Sequence, residues 1–160
     1  MRRLAYLVPL VLLFAAGPTL AQTAPSYHGW GLRAGLAESP DQIVLGVHWN
    51  LGDVFKNTRF SPNVEVGFGD DATVVAGTAA LHYVFNTAST VRPYAGGGVS
   101  VGWLDFDTPH GENDSEIEVA LKAIGGVEWK MRGNNAFGLE LALHVGDIYD
   151  VQFMATWTFP

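Results

Sequence analysis

The chain has 160 residues, no cysteine and a formal net charge of −7, from 9 Lys and Arg against 16 Asp and Glu. The acidic balance argues against nucleic-acid binding, because phosphates require a basic surface. The absence of cysteine excludes disulfides and a lipid-bearing cysteine.

The first predicted element is a secretory signal peptide over residues 1–21. It has a short basic start at Arg2 and Arg3, an apolar run from Leu4 to Phe14, and small residues up to Ala21. The run is too short for a transmembrane helix, which needs about 20 apolar residues. We expect a single mature domain over 22–160, in which 7 Lys and Arg face 16 Asp and Glu, a net charge of −9.

The mature part alternates between apolar and polar residues in runs that are separated by turn-forming clusters. Such clusters of Gly, Pro, Asn, Asp and Ser, for example "AESPD" and "GDIYD", are typical of an all-β protein. Eight strands are predicted, at 28–37, 42–51, 60–69, 73–85, 91–104, 117–131, 136–146 and 151–159.

The two faces of these runs differ in chemistry, because side chains alternate along a strand. One face is apolar and uncharged throughout. The other holds small residues and a polar set, Arg33, His48, Glu65, His82, Glu118, Lys122, Glu128, Glu140 and His144. An eight-stranded barrel has little interior room, and the apolar set would overfill it. Apolar outside and polar inside is the pattern of a transmembrane barrel, so the polar set is predicted to form a lumen network.

Aromatic residues gather at one end of the predicted barrel, where a membrane-interface girdle is expected. They are Trp30, Trp49, Phe60, Tyr83, Phe85, Trp129, Phe137, Trp157 and Phe159. The turns at that end carry the basic residues Lys56, Arg59, Arg92, Lys130 and Arg132. The loops at the opposite end are acidic and contain no Lys or Arg.

Two stretches of the sequence have the form of known barrel motifs, "RPYAGGGVSVGW" at 92–103 and "VQFMATWTF" at 151–159. Through these motifs and the eight runs, the chain resembles the small outer-membrane β-barrel superfamily of Gram-negative bacteria, the OmpA/OmpX and opacity-protein type. The stretch "RPYAGGGVSVGW" (92–103) is similar to the Pro-Tyr-x-Gly-x-Gly strand of that group. The terminal "VQFMATWTF" (151–159) is similar to its C-terminal signal for the barrel-assembly machinery, although Pro160 follows the last aromatic residue here. The resemblance covers the mature chain and implies an architecture rather than an activity.

The polar residues could support three kinds of chemistry. His48, Glu65 and His82 lie on neighbouring runs and would suit a metal with two histidine ligands and one carboxylate, but a hydrogen-bonded network is the preferred interpretation. The lumen charges would form either a gate or, as we prefer, a structural plug. The acidic loop offers weak ligands for a divalent ion, which would bridge to lipopolysaccharide: Asp105, Asp107, Glu112, Asp114 and Glu116.

Catalysis requires a nucleophile beside a base, and only His110 near Ser115 comes close to that arrangement. We therefore predict no catalytic residue, no cofactor and no resident metal.

The sequence thus predicts an eight-stranded antiparallel up-and-down transmembrane β-barrel in the outer membrane, with a plugged polar lumen and a structural or surface-interaction role. The expected partners are outer-membrane lipid, lipopolysaccharide and the barrel-assembly machinery, and a monomer is expected. One alternative is a soluble exported lipocalin-like barrel that binds an apolar ligand. Another is a small solute pore.

Overall fold

The computed structural model describes residues 28–39, 41–69, 72–106 and 114–160, so the predicted signal peptide lies outside the described residues. No helix in this part of the chain is long and apolar enough to cross a membrane. The strands are β1 (Gly29–Glu38), β2 (Gln42–Asn50), β3 (Asp53–Phe55), β4 (Thr58–Phe60), β5 (Asn63–Phe68), β6 (Ala72–Val84), β7 (Val91–Phe106), β8 (Asp114–Lys130), β9 (Ala136–Val145) and β10 (Val151–Phe159). A short 3-10 turn, Arg132–Asn134, connects β8 to β9.

These segments form one closed antiparallel sheet of eight long strands. β4 and β5 pair with β6 on a single register, Phe60 opposite Leu81 and Asn63 opposite Thr78, so they are two parts of one strand. The interruption falls at Pro62, which has no N–H to donate to a ladder. β3 pairs with β4 and extends the hairpin that β2 and β5 begin. The ring closes because β1 pairs with both β2 and β10, and β6 pairs with β7.

The alternation of faces follows the prediction. The apolar positions point outward, with Leu32 50% exposed and Phe153 49% exposed, whereas the adjacent Arg33 is 4% exposed and Gln152 is fully buried. The all-β barrel prediction is therefore confirmed. A lipocalin-like barrel would place its apolar face inside, and that expectation is wrong for this chain.

The strands on either side of the acidic loop are longer than predicted. β7 and β8 stay paired up to Phe106 opposite Asp114, so Ser115 and Glu116 belong to a strand rather than to the predicted loop. The ladder continues there because backbone hydrogen bonds do not depend on side-chain polarity. The β3–β4 hairpin was also not predicted. It turns at Asn57, which has a positive φ of 59° that asparagine tolerates in turns.

The connection between β9 and β10 folds into the mouth of the barrel. Ile148 and Tyr149 are almost completely buried there, although the sequence indicated only a turn. Gly102 makes the room, because a Cβ at that position would lie 3.0 Å from Ile148 Cδ1. Burial raises the pKa of the Tyr149 phenol, and the Glu65 carboxylate adds to this effect. The hydroxyl stays protonated and donates to Gln42 Oε1 at 3.2 Å.

Candidate functional site in the barrel lumen

The middle of the lumen contains a guanidinium held between two carboxylates. Arg33 on β1 contacts Glu65 on β5 through Nε at 2.6 Å and Glu140 on β9 through Nη2 at 2.7 Å. All three side chains are at most 2% exposed. Buried charges are costly unless they are paired and hydrogen-bonded, and this arrangement meets that requirement across three strands.

We call the end of the barrel that carries the aromatic residues the inner end, and the opposite end, with the acidic loops, the outer end. The central cluster continues towards the outer end of the lumen through the side-chain amide of Gln152. Lys122 Nζ donates to Gln152 Oε1 at 2.7 Å, and Gln152 Nε2 donates to Glu65 Oε2 at 2.9 Å. Lys122 is also 3.8 Å from that carboxylate oxygen. Gln152 therefore lies between a cation and an anion and satisfies both with one side chain.

A second ion cluster fills the inner end, near the aromatic residues. Glu128 on β8 accepts from Arg59 Nη1 at 2.7 Å and lies 2.8 Å from Arg92 Nη2. The sequence predicts both arginines in turns, and that prediction is wrong, because they lie in β4 and β7 with their side chains buried. Arg59 pairs with His82 in the β4–β6 ladder, and Arg92 is the second residue of β7, two residues before Tyr94, so the alternation turns both side chains inward.

Tyr94, from the Pro-Tyr-x-Gly-x-Gly stretch, connects the two clusters. Its hydroxyl donates to Glu140 Oε2 at 3.0 Å, and the Arg59 guanidinium lies 5.2 Å above the ring centre. Gly126 on the neighbouring strand makes this position possible, since a Cβ there would collide with the Tyr94 ring. The tyrosine thus ties the central carboxylate to the basic inner end.

The predicted lumen histidines are in the interior but do not form a metal centre. His48 hydrogen-bonds Thr158 Oγ1 at 2.9 Å, His82 stacks on Tyr94 with ring centres 5.0 Å apart, and half-buried His144 meets Tyr149 edge-on. Glu65 is occupied by its cationic partners. Within the described ranges, no three His, Asp or Glu side chains are placed to share a metal ion.

The remaining predicted residues fall outside these clusters. Glu118 is half-buried near the outer end and forms no ion pair with another described residue. Asp105 and Glu116 are separated into β7 and β8. Asp107, Glu112 and His110 lie outside the described residues, and only the backbone of Asp114 is described.

Tyr94 and Gln152 belong to the polar face of the predicted strands and lie in the lumen as expected, whereas Arg59 and Arg92 are lumen residues that the sequence did not place there. Arg92 lies two residues before Tyr94 and Arg59 lies six residues before Glu65, so strict alternation along each strand would have placed both arginine side chains inward. A charged residue next to a turn is therefore not exposed for that reason alone.

The aromatic residues form a band at the inner end, because the pairing of the strands brings them to the same height. Trp30 and Phe159 contact with ring centres 5.1 Å apart, and Phe137 lies between Trp129 at 5.8 Å and Trp157 at 6.1 Å. Tyr83 and Phe85 meet edge-on. The band therefore spans the β8–β9–β10–β1 wall and continues at the end of β6.

Little space remains between the two ion clusters. A cavity of about 20 Å³, room for about one water molecule, is lined by His48, His82, Tyr94 and the flanking charged groups. Towards the outer end the interior becomes apolar, with Val44, Val74, Leu104, Ile148 and Met154 packed together. The lumen thus has two charged layers and one apolar layer.

Comparison with known proteins gives a likeness in fold. No protein-family profile matches the chain, and no curated protein matches it by sequence. Neisserial surface protein A superposes with a TM-score of 0.64 at 15% identity, over 84% of this chain and 98% of that one. The attachment invasion locus protein Ail of Yersinia pestis superposes with a TM-score of 0.47 at 15% identity, over 81% of this chain and 89% of that one. On the Neisserial likeness and the closed ring of strands, the chain has the fold of the small eight-stranded outer-membrane β-barrels.

Proposed function

We propose that this protein is an integral outer-membrane barrel with a closed lumen, which serves a structural or surface-interaction role and is not an enzyme. The observation that carries the proposal is the inverted burial. Leu32, Leu141 and Phe153 are about half exposed while Arg33, Glu65 and Glu140 are buried. A face of this kind is stable in lipid, and a closed barrel leaves no unpaired strand edge there.

Export through the predicted signal peptide and insertion by the barrel-assembly machinery complete this proposal. The outward Phe153 and Trp157 of β10, the strand that closes the ring with β1, support the second step. Lipid and lipopolysaccharide are the proposed surroundings of the apolar face, and a monomer suffices because every strand is already paired.

Closure of the lumen is supported by the three filled layers. The ion clusters occupy the middle and the inner end, and Ile148 and Tyr149 cover the outer mouth. A solute would have to displace Arg33 from two carboxylates and move the β9–β10 connection. This favours the plug over the gate and over the solute pore.

Thiol labelling tests the closure directly, because the chain has no cysteine of its own. Ala76 is 3% exposed and packs in the apolar layer beneath Ile148 and Tyr149. In Ala76→Cys protein folded into vesicles, a charged thiol reagent should react slowly. Adding Ile148→Gly and Tyr149→Gly should raise the rate at least about 10-fold, since the cover of the mouth is lost and water gains access.

Asp147→Cys is the matched control, because Asp147 is exposed in the same connection and should react quickly in both backgrounds. Rapid labelling of Ala76→Cys with the connection intact, together with stepwise conductance in planar bilayers, would contradict the closed lumen and support the pore.

A further inference from the structure

The exposed basic side chains of the described residues lie at the inner end of the barrel. We call this the inner rim: the β2–β4 hairpin tip (51–57), the β6–β7 turn (85–90) and the β8–β9 turn (130–135). Lys56, Lys130 and Arg132 are exposed there, and Asp53 is the exposed acid among them. The inner rim therefore carries a positive balance of side-chain charge.

At the other end, no basic side chain of a described residue offsets this balance. The described residues include seven Lys and Arg; Arg33, Arg59, Arg92 and Lys122 are buried in the lumen, and the remaining three are those of the inner rim. The exposed charged side chains at the outer end are acidic: Glu38, Asp41, Glu116, Asp147 and Asp150. The surface is thus polarised from one rim to the other.

The three rim cations are available to an external partner. Among the described residues, no carboxylate lies within ion-pair distance of them. Lys56 belongs to the hairpin between the second and third long strands, whereas Lys130 and Arg132 flank the turn between the sixth and seventh. They consequently lie on opposite sides of the ring, which suits a planar anionic surface better than one compact anion.

Exposed apolar side chains accompany these cations. Phe55 is 70% exposed, Leu51 is 58% exposed and Met131 is 43% exposed, each within two residues of a rim cation or next to the aromatic band. Side chains of this kind enter the boundary between acyl chains and headgroups, while Lys and Arg extend their charged ends to the polar layer.

From this placement we propose that the inner rim binds the phosphate headgroups of anionic phospholipids in the membrane leaflet that surrounds it. The inference rests on the proposed function, since it requires the barrel to lie in a bilayer. Each basic side chain at an anionic membrane surface contributes about five-fold in affinity. The acidic outer rim has no exposed basic side chain among the described residues and is not expected to share this preference.

Quenching of tryptophan fluorescence by brominated lipids tests the proposal. Trp30, Trp49, Trp129 and Trp157 lie near the inner rim, and Trp103→Phe removes the tryptophan nearer the outer end. This variant is folded into phosphatidylcholine vesicles with increasing brominated phosphatidylglycerol, and the relative binding constant of the two lipids is obtained. We expect phosphatidylglycerol to be favoured about five-fold or more, consistent with at least one cation–headgroup contact.

Substituting the three rim cations, with Lys56→Gln, Lys130→Gln and Arg132→Gln, should reduce the ratio to about 1. High salt should do the same, because charges at a surface are screened within a few ångströms at about 1 M. The matched control changes three charges at the outer rim, Glu116→Gln, Asp147→Asn and Asp150→Asn, and should keep the ratio. A folded barrel without phosphatidylglycerol preference would overturn this inference alone, whereas failure to enter vesicles would overturn the proposed function.

Discussion

Replacing Arg33 with methionine is expected to lower the free energy of unfolding in vesicles by about 3–5 kcal/mol, because removal of one partner leaves buried charge uncompensated. Among the contacts described above, Glu140 would keep the hydrogen bond from the Tyr94 hydroxyl. Glu65 would keep the hydrogen bond from Gln152 and the longer ion pair with Lys122. Methionine retains most of the side-chain volume, so the loss reports charge rather than a cavity. Urea titration of folded protein, followed by tryptophan fluorescence, measures it.

A double variant separates loss of pairing from loss of packing. Arg33→Met with Glu140→Gln removes one of the two stranded carboxylates and should recover part of the stability, since the remaining Glu65 still has Lys122 nearby. Lys56→Gln removes an exposed cation and serves as the matched control, with an expected change within about 0.5 kcal/mol. An Arg33→Met barrel as stable as the wild type would show that the central cluster does not hold the lumen together.

The second large effect is expected on the outer face. Leu141 lies in the middle of β9, is 48% exposed, and pairs with Gly125 and Phe153 on the neighbouring strands. Leu141→Arg should lower the free energy of unfolding by about 2–4 kcal/mol if that face lies in the centre of a bilayer. The same urea titration in vesicles measures the change.

Depth provides the control for this substitution. Val145 is on the same strand and is also outward, 73% exposed, but it ends β9 near the outer rim. Val145→Arg should lower the free energy of unfolding by only about 0–1 kcal/mol, as expected near a membrane interface. Equal costs at the two positions, or none at Leu141, would show that the apolar face does not span a bilayer.

Much of this fold could be predicted because period-two alternation is a direct consequence of strand geometry. Leu32 and Arg33 are neighbours in sequence and lie on opposite faces in the barrel, as the alternation required. The inward placement of Glu65, Lys122 and Glu140 followed from the same rule. Their side-chain partners could not be predicted, because a pair such as Arg33 and Glu140 is 107 residues apart and depends on register around the ring.

The differences between prediction and structure share a physical cause, which is that residues typical of turns can still be buried. The "GDIYD" stretch has the composition of a turn, yet Ile148 and Tyr149 are buried because the open mouth of the barrel offers an apolar surface to cover. Arg59 and Arg92 border turns but point inward because Glu128 lies within reach. In both cases tertiary contacts outweighed local composition.

A single gel shows whether the apolar face of the barrel lies in lipid. Cells expressing the protein are fractionated, and the outer-membrane fraction is run in SDS with and without boiling. We expect the protein in that fraction and a change of mobility on heating, since a closed barrel with a paired interior resists SDS until it is heated. Recovery in the soluble periplasmic fraction, with no change of mobility on boiling, would contradict an outward face in lipid.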